Sequence, residues 1–328
     1  MVSIVPINST DTQNMSYLLS YKALKAEAQR LGFSVCGCVP AAPVEEWRRR
    51  QWEHYLANHH HAGMAYLENH LDKRLNPRLL VDGAQTVVSL ALNYYQGDAC
   101  TFSSYQFARY AVGRDYHEVV KERLAALLQY VRQTSDGRAD GRAFCDTAPV
   151  DEHYWAWRCG LGWLGRNTQL IVPHAGSHFF LGELILTAPT DHYDAPLSSH
   201  CGNCLRCVKA CPTGALSPAD GLDARRCLSY LTIEHRGPFP SELPTPPLGN
   251  CIYGCDRCIA ACPHNQSAPL TEVQDFYPRS ELTQMSADDW SSLTQEQFSR
   301  IFTHCAVKRT KLEGLLRNIQ CAKTKAQS

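Results

Sequence analysis

The stretch CGNCLRCVKACPTGAL, residues 201–216, places four cysteines at gaps of two, two and three residues and follows the last with proline. Three thiols in C-x2-C-x2-C reach three corners of one iron-sulfur cube from a single turning loop, and the fourth, before proline, points to another cube. A second stretch, CIYGCDRCIAACPHN from Cys251, nearly repeats it. By this interlocking, Cys201, Cys204 and Cys207 hold one 4Fe-4S cluster with Cys262, while Cys211 joins Cys255 and Cys258 on a second. Cys251 lies four positions before Cys255 where three is usual, so either Cys227 or Cys251 completes the second set. Zinc is the competing reading, but zinc sites use two separated ligand pairs and have no use for a Cys-Pro ending.

The chain has 328 residues, enough for about two domains with cores of their own, so its size calls for no cross-links. Nine of its 16 cysteines fall between 201 and 262, and such clustering reads as a site in a reducing, cytoplasmic setting. The opening MVSIVPINSTDTQNMSYLLS lacks a leader pattern, and no apolar run is long enough to span a bilayer. Lysine plus arginine and aspartate plus glutamate both number 32, which excludes a bulk cationic field for nucleic acid. A local patch stays open: Lys308, Arg309, Lys311, Arg317, Lys323 and Lys325 face one acid, Glu313, in the last 23 residues.

Ahead of the cysteines, strand and helix patterns alternate. YKALKAEAQRLGF reads as a helix closed by Gly32, and FSVCGCV, TVVSLALNY, RAFCDT, TQLIVP and FFLGELILT read as strands. HEVVKERLAALLQYV carries a helical apolar stripe, and a further helix is expected from Val150. These patterns predict a mixed α/β domain over 1–196, a ferredoxin-like two-cluster module over 197–269 and a helical C-terminal region with a basic tail over 270–328. Two clusters alone make an electron carrier, which needs a fraction of this length, so an electron acceptor is expected in the first 200 residues. The segment 146–184 is the place to search. GLGWLG is a close-approach turn without nucleotide-binding spacing. Asp146 could cap the helix that follows, or it could be an acid whose pKa is raised in an apolar pocket lined by Trp155, Trp157 or Trp163.

KRLNP (73–77), RYAVGRDYH (109–117), DTAP, GLGWLGRNT, FFLGEL, the first cysteine motif, LDARRCLSYLTIEHRG, IYGCDRC and KRTKLEGLLRN stand in the order found in epoxyqueuosine reductase, which the chain resembles from about residue 20 to 318. The resemblance implies two 4Fe-4S clusters, a cobalamin with its own base displaced, an external electron donor and tRNA carrying epoxyqueuosine as substrate. It makes Cys227 the eighth ligand, Cys251 the spare and Asp146 the proton donor. It also places the corrin between the two lobes, where Arg74, Tyr110, Asn167, Thr168, Gln169, Ser229 and Thr232 are candidate linings. DYHEVV resembles the Asp-x-His-x-x-Gly signature of enzymes that ligate cobalt through histidine, but the glycine is absent. His117 is therefore read as a surface, packing or substrate-facing residue.

Asp151 departs from the family by standing where an apolar residue is common, and His264 by replacing the usual tryptophan. The expected electron order is reductant, distal cluster, proximal cluster, cobalt, epoxide. Lys308, Arg309, Lys311 and Arg317 are the candidate tRNA contacts, and a monomer satisfies all of this. A corrinoid reductive dehalogenase and a plain ferredoxin-like carrier are the alternatives. Turnover on modified tRNA separates the first, and corrinoid content the second.

Overall fold

The computed structural model describes residues 17–326 except 101 and 103, with side chains of the last helix up to residue 322. Most of the opening segment, and the side chains of Lys323 and Lys325, lie outside the described residues. Four strands form the central sheet in the spatial order Val35–Pro40, Thr86–Asn93, Phe179–Leu186, Gly141–Phe144, and each neighbouring pair is antiparallel. Every residue of Thr86–Asn93 is buried, because both faces of the sheet are covered. Val88, Leu90 and Leu92 meet Leu24 of helix Tyr21–Arg30 and Leu124, Leu127 and Val131 of helix Tyr116–Thr134. The alternate residues Val87 and Ala91 meet Tyr154, Trp155 and Ala156 of helix Glu152–Arg158. The result is a helix–sheet–helix sandwich whose period-two strand pattern serves two cores. Gly182 permits the close helix contact, since a Cβ there would sit 2.8 Å from Leu124 Cδ1.

TQLIVP does not join this sheet. Its Leu170–Ile171 pairs with Trp163–Leu164 in a small hairpin, and the glycines of GLGWLG serve that turn. A Cβ on Gly162 would lie 2.2 Å from the Ile171 carbonyl oxygen. In the cysteine-rich module the short helices Arg206–Ala210 and Arg257–Ala260 pack together. The C-terminal helices are not a loose tail. Trp290, Phe298, Phe302, Leu315 and Ile319 form a core with Phe107 and Tyr253, whose segments Gln106–Phe107 and Cys251–Tyr253 pair in parallel. The module is thereby clasped between earlier and later parts of the chain. Among the described residues no helix is long and apolar enough to cross a membrane.

Candidate functional site

The thiols fall into two electrostatic groups. Burial raises the pKa of Cys262, and the neighbouring Cys201, Cys207 and Cys204 raise it further. Burial likewise pushes the Cys258 thiol up to about 12, with Cys255, Cys227 and Cys211 adding to it. Cys201, Cys204, Cys207 and Cys262 therefore form one neighbourhood, and Cys211, Cys227, Cys255 and Cys258 the other. Cys251 stands beside Cys255 but turns its Sγ to the carbonyl oxygens of Gly254 and Tyr253, at 3.3 and 3.6 Å. A tetrahedral zinc ion would hold four sulfurs only about 3.8 Å apart. Among the described residues, the one group of three or more His, Cys, Asp or Glu ligand atoms within 4.8 Å of one another is His59, His61 and Glu68, not the cysteines. Their wider spacing suits a cluster rather than a single ion.

Asp146 follows the edge strand in a left-handed conformation, φ +58°. Its carboxylate accepts from the Tyr116 hydroxyl at 2.6 Å and pairs with His117 Nε2 at 2.9 Å. Helix Tyr116–Thr134 delivers both partners in its first turn. Its N-cap Asp115 accepts from the His117 backbone N–H at 3.0 Å and from the ring Nδ1 at 2.7 Å. Both imidazole nitrogens thus face carboxylate oxygens, an arrangement that only the doubly protonated ring satisfies. Partial burial pulls the His117 pKa down, but the two carboxylates outweigh it and leave the ring at about 9. Tyr116 is held by stacking on Phe180, 4.4 Å between ring centroids.

Two expectations for Asp146 change here. Asp151, not Asp146, caps helix Glu152–Arg158, accepting from the Tyr154 N–H at 3.4 Å. Nor is the Asp146 carboxyl raised in an apolar pocket. Burial pushes it up, yet His117 and Tyr116, with Arg309 behind them, draw it below the usual carboxylate range. The proton resides on the imidazole of the pair. Trp157 and Trp163 line the cavity, while Trp155 belongs to the core beneath.

That cavity is large, about 1610 Å³, and a second of about 370 Å³ adjoins it along Tyr110, Tyr116, Asp146, Glu152, Thr168 and Gln169. Ordinary small-ligand pockets span roughly 300–1,000 Å³, so there is room for more than one ligand group. The smaller cavity reaches Cys211, Cys227, Cys255, Cys258, Asn167 and Ser229. Arg74, capped by Trp52 at 4.9 Å, lines the larger one. Four buried donors on these walls have no acceptor among the described residues: Arg74 Nε, Trp163 Nε1, Arg166 Nε and Asn167 Nδ2. Thr232 lines neither cavity. Fully buried, it donates to the Leu228 carbonyl at 2.8 Å and accepts from the Gly254 N–H at 2.9 Å, which is a packing role.

The basic candidates also divide. Lys308 and Arg309 stand at the mouth of the larger cavity, Arg309 paired with Glu234 at 2.8 Å. Lys311 is exposed at the start of the last helix. Arg317 is committed elsewhere: it donates to the carbonyl oxygens of Leu231, Gly237 and His235 at 2.7, 2.8 and 3.0 Å and lies over the Phe239 ring. These contacts close a helix end, so Arg317 is not available to a phosphate.

The family model described as epoxyqueuosine reductase QueG, DUF1730, matches residues 74–147, and one described as a 4Fe-4S double cluster binding domain matches 200–265. The epoxyqueuosine reductase of Leadbetterella byssophila is 44% identical over 302 residues, covering 92% of this chain and 98% of its own. The chain belongs to the epoxyqueuosine reductase family. The Escherichia coli epoxyqueuosine reductase is 36% identical, covering 91% of this chain and 79% of its own. A crystal structure of epoxyqueuosine reductase with an epoxyqueuosine-modified tRNA-Tyr stem loop matches with TM-score 0.84 at 28% identity, over 92% of this chain and 80% of that one. Activity as an epoxyqueuosine reductase with a double-cluster domain follows from family and fold together.

Within this epoxyqueuosine reductase frame, sequence reasoning assigns no role to Tyr116 or Glu152 and reads His117 as a surface, packing or substrate-facing residue. Asp-Tyr-His at a helix start was the available signal. An N-cap aspartate two residues before a histidine can engage both its backbone and its ring.

Proposed function

We propose that this chain reduces epoxyqueuosine in tRNA to queuosine, with two 4Fe-4S clusters, a cobalamin in the double cavity and Asp146 as the proton-delivering residue. The observation that carries the reading is the convergence of the Asp146–His117 pair, four orphaned donors and the Cys211, Cys227, Cys255 and Cys258 quartet on two adjoining cavities with a shared wall. The relatives named above supply the reaction and, through the stem-loop complex, the substrate class.

Cys201, Cys204, Cys207 and Cys262 would hold one cluster, and Cys211, Cys227, Cys255 and Cys258 the other. The second quartet lines the smaller cavity, so its cluster would be the one nearer the reaction and the first the distal one. A corrin carries amide carbonyls around its rim. The unsatisfied donors of Arg74, Trp163, Arg166 and Asn167 are the groups such a rim would engage, with Thr168, Gln169, Tyr110 and Ser229 on the same walls. Cobalamin, when bound, supplies a metal centre that can gather single electrons for a two-electron bond change.

The chain's own residues manage the proton. The His117 imidazolium stores it, Asp115 fixes the ring, and Asp146 presents a shared proton toward the cavity, where its carboxylate is half exposed. The departing epoxide oxygen is protonated there as the carbon-oxygen bond breaks. A Bacillus subtilis epoxyqueuosine reductase has been solved with its catalytic aspartate loop swung out of the active site, and it matches this chain with TM-score 0.82 at 28% identity. The left-handed turn at Asp146 is a position from which such a loop can move. A wobble base turned out of the anticodon loop would enter past Lys308 and Arg309. The test is reduction of epoxyqueuosine tRNA by anaerobically reconstituted protein. Asp146→Ala should lose roughly 10²–10⁴-fold in rate, and a wild-type rate would overturn the assignment.

A further inference from the structure

The proton pair just described leaves the reaction one proton short. Turning an epoxide into an alkene takes up two electrons and two protons and releases water. The first proton goes to the oxygen as one carbon-oxygen bond breaks and a hydroxyl remains. The second goes to that hydroxyl as the other bond breaks. The electrons come from a low-potential one-electron donor by way of the clusters. Once the His117–Asp146 pair has given its proton, the imidazole sits between two bare carboxylates, Asp115 and Asp146.

Glu152 stands directly behind this pair. It opens the helix Glu152–Arg158, lines both cavities, and its carboxyl Oε1 accepts the backbone N–H of Asp146. That hydrogen bond anchors the residue whose φ is +58°. We infer that Glu152 is the second proton store of the reaction: an acid seated against the Asp146 backbone on the wall shared by the two cavities, which recharges the Asp146–His117 pair and holds the Asp146 turn while doing so. The inference rests on Asp146 being the donor.

The surroundings favour the acid form. Burial, followed by the negative charge of Asp146, lifts the Glu152 pKa to about 8. The other charged and titratable groups that face it are His117 from the long helix, Asp151 beside it, Glu183 from a central strand, Cys145 just past the edge strand and Arg74 across the cavity. The bond from the Asp146 N–H, His117 and Arg74 favour ionisation, but burial and the carboxylates outweigh them. Glu183 is itself fully buried, with its pKa pushed well up by burial and then by Glu152 against the pull of the Ser89 hydroxyl, so a second negative charge beneath Glu152 is disfavoured. Glu152 therefore carries a proton at neutral pH and surrenders it as the pH passes about 8.

Glu152→Gln separates the two parts of the claim, because an amide carbonyl still accepts the Asp146 N–H but the side chain carries no transferable proton. On reconstituted enzyme with epoxyqueuosine tRNA, the variant should keep KM within about twofold and lose at least ~10-fold in kcat at pH 7. The fall in kcat centred near pH 8 in the wild type should disappear from its profile. Infrared difference spectra of the same protein, titrated from pH 7 to 9, should show a carboxylic-acid C=O band vanishing in the wild type and absent from Glu152→Gln. Glu152→Asp should retain a titrating band and part of the rate. Wild-type kcat with the pH 8 limb intact in Glu152→Gln would overturn the inference while leaving an inactive Asp146→Ala, and so the donor assignment, standing. An Asp146→Ala variant at the wild-type rate would remove both.

Discussion

Replacing His117 by glutamine tests the charge distribution of the site most directly. The ring's pKa rises from 6.5 to about 9 because Asp115 and Asp146 grip its two nitrogens. At about 1.4 kcal/mol per pH unit this is a differential of roughly 3 kcal/mol between the protonation states, and about 2 kcal/mol once the quarter-exposed ring is allowed its solvent screening. A folded-state pKa above the unfolded value stabilises in full below pH 6.5 and loses that contribution as the pH rises through 9. Glutamine titrates nowhere in this range. Thermal unfolding of wild type and His117→Gln, measured side by side from pH 6 to 10, should therefore show a gap of ~4 °C at pH 6 that closes by pH 10, at ~2 °C per kcal/mol for a chain of this size. The rate of epoxide reduction should follow the same charge, with a second fall near pH 9 in the wild type beyond the one centred near pH 8, and should be low throughout in the variant. A stability gap that ignores pH would show that the imidazolium is not the form that the two carboxylates hold.

Three further outcomes follow from particular contacts. Cys227→Ala should leave about half the iron of the reconstituted wild type, whereas Cys251→Ser should keep all of it, because the Cys251 thiol is turned toward backbone carbonyls; iron and sulfide analysis decides. Arg317→Ala should destabilise the fold by about 1–3 kcal/mol through three orphaned carbonyls yet leave the salt slope of tRNA binding unchanged, whereas Lys308→Ala should reduce that slope by about one. Asp151→Ala should cost about 3–5 kcal/mol, since Arg48 grips this buried carboxylate at 2.6 and 2.7 Å and Trp52 donates to it at 2.6 Å; pairing the change with Arg48→Met should recover much of the loss in a denaturation midpoint.

What was legible beforehand was whatever a local period or spacing encodes. The continuous apolar run of Thr86–Asn93 announced a strand covered on both faces, and the stripe of the long helix announced its buried side. Spacing also announced a metal module, although it could not decide between Cys227 and Cys251, because that choice depends on where a loop 24 residues away returns. Strand direction escaped for a similar reason. Periodicity reports which faces are buried and says nothing of which neighbour a strand joins, so TQLIVP looked like a sheet strand and became a hairpin.

The contact between Asp146 and His117 escaped for a deeper reason. Asp146 and His117 are 29 residues apart, and they meet only because the strand Gly141–Phe144 sits at the sheet edge beneath the helix that begins at Tyr116. In sequence, an aspartate before Thr-Ala-Pro reads as a cap or as an acid in an apolar pocket, and a histidine after Asp-Tyr as a surface, packing or substrate-facing residue. Once folded, the cap belongs to Asp151, which frees Asp146 to face the cavity, and the helix that Asp115 caps turns His117 toward it. The same rearrangement reverses the expected direction of the Asp146 pKa. An acid in an apolar pocket would hold its own proton, whereas an aspartate gripped by an imidazolium and a tyrosine hydroxyl leaves the proton on its partner. On the proposed reading, proton delivery would be a property of a network of side chains, with a capacity set by how many acids the cavity wall can keep uncharged.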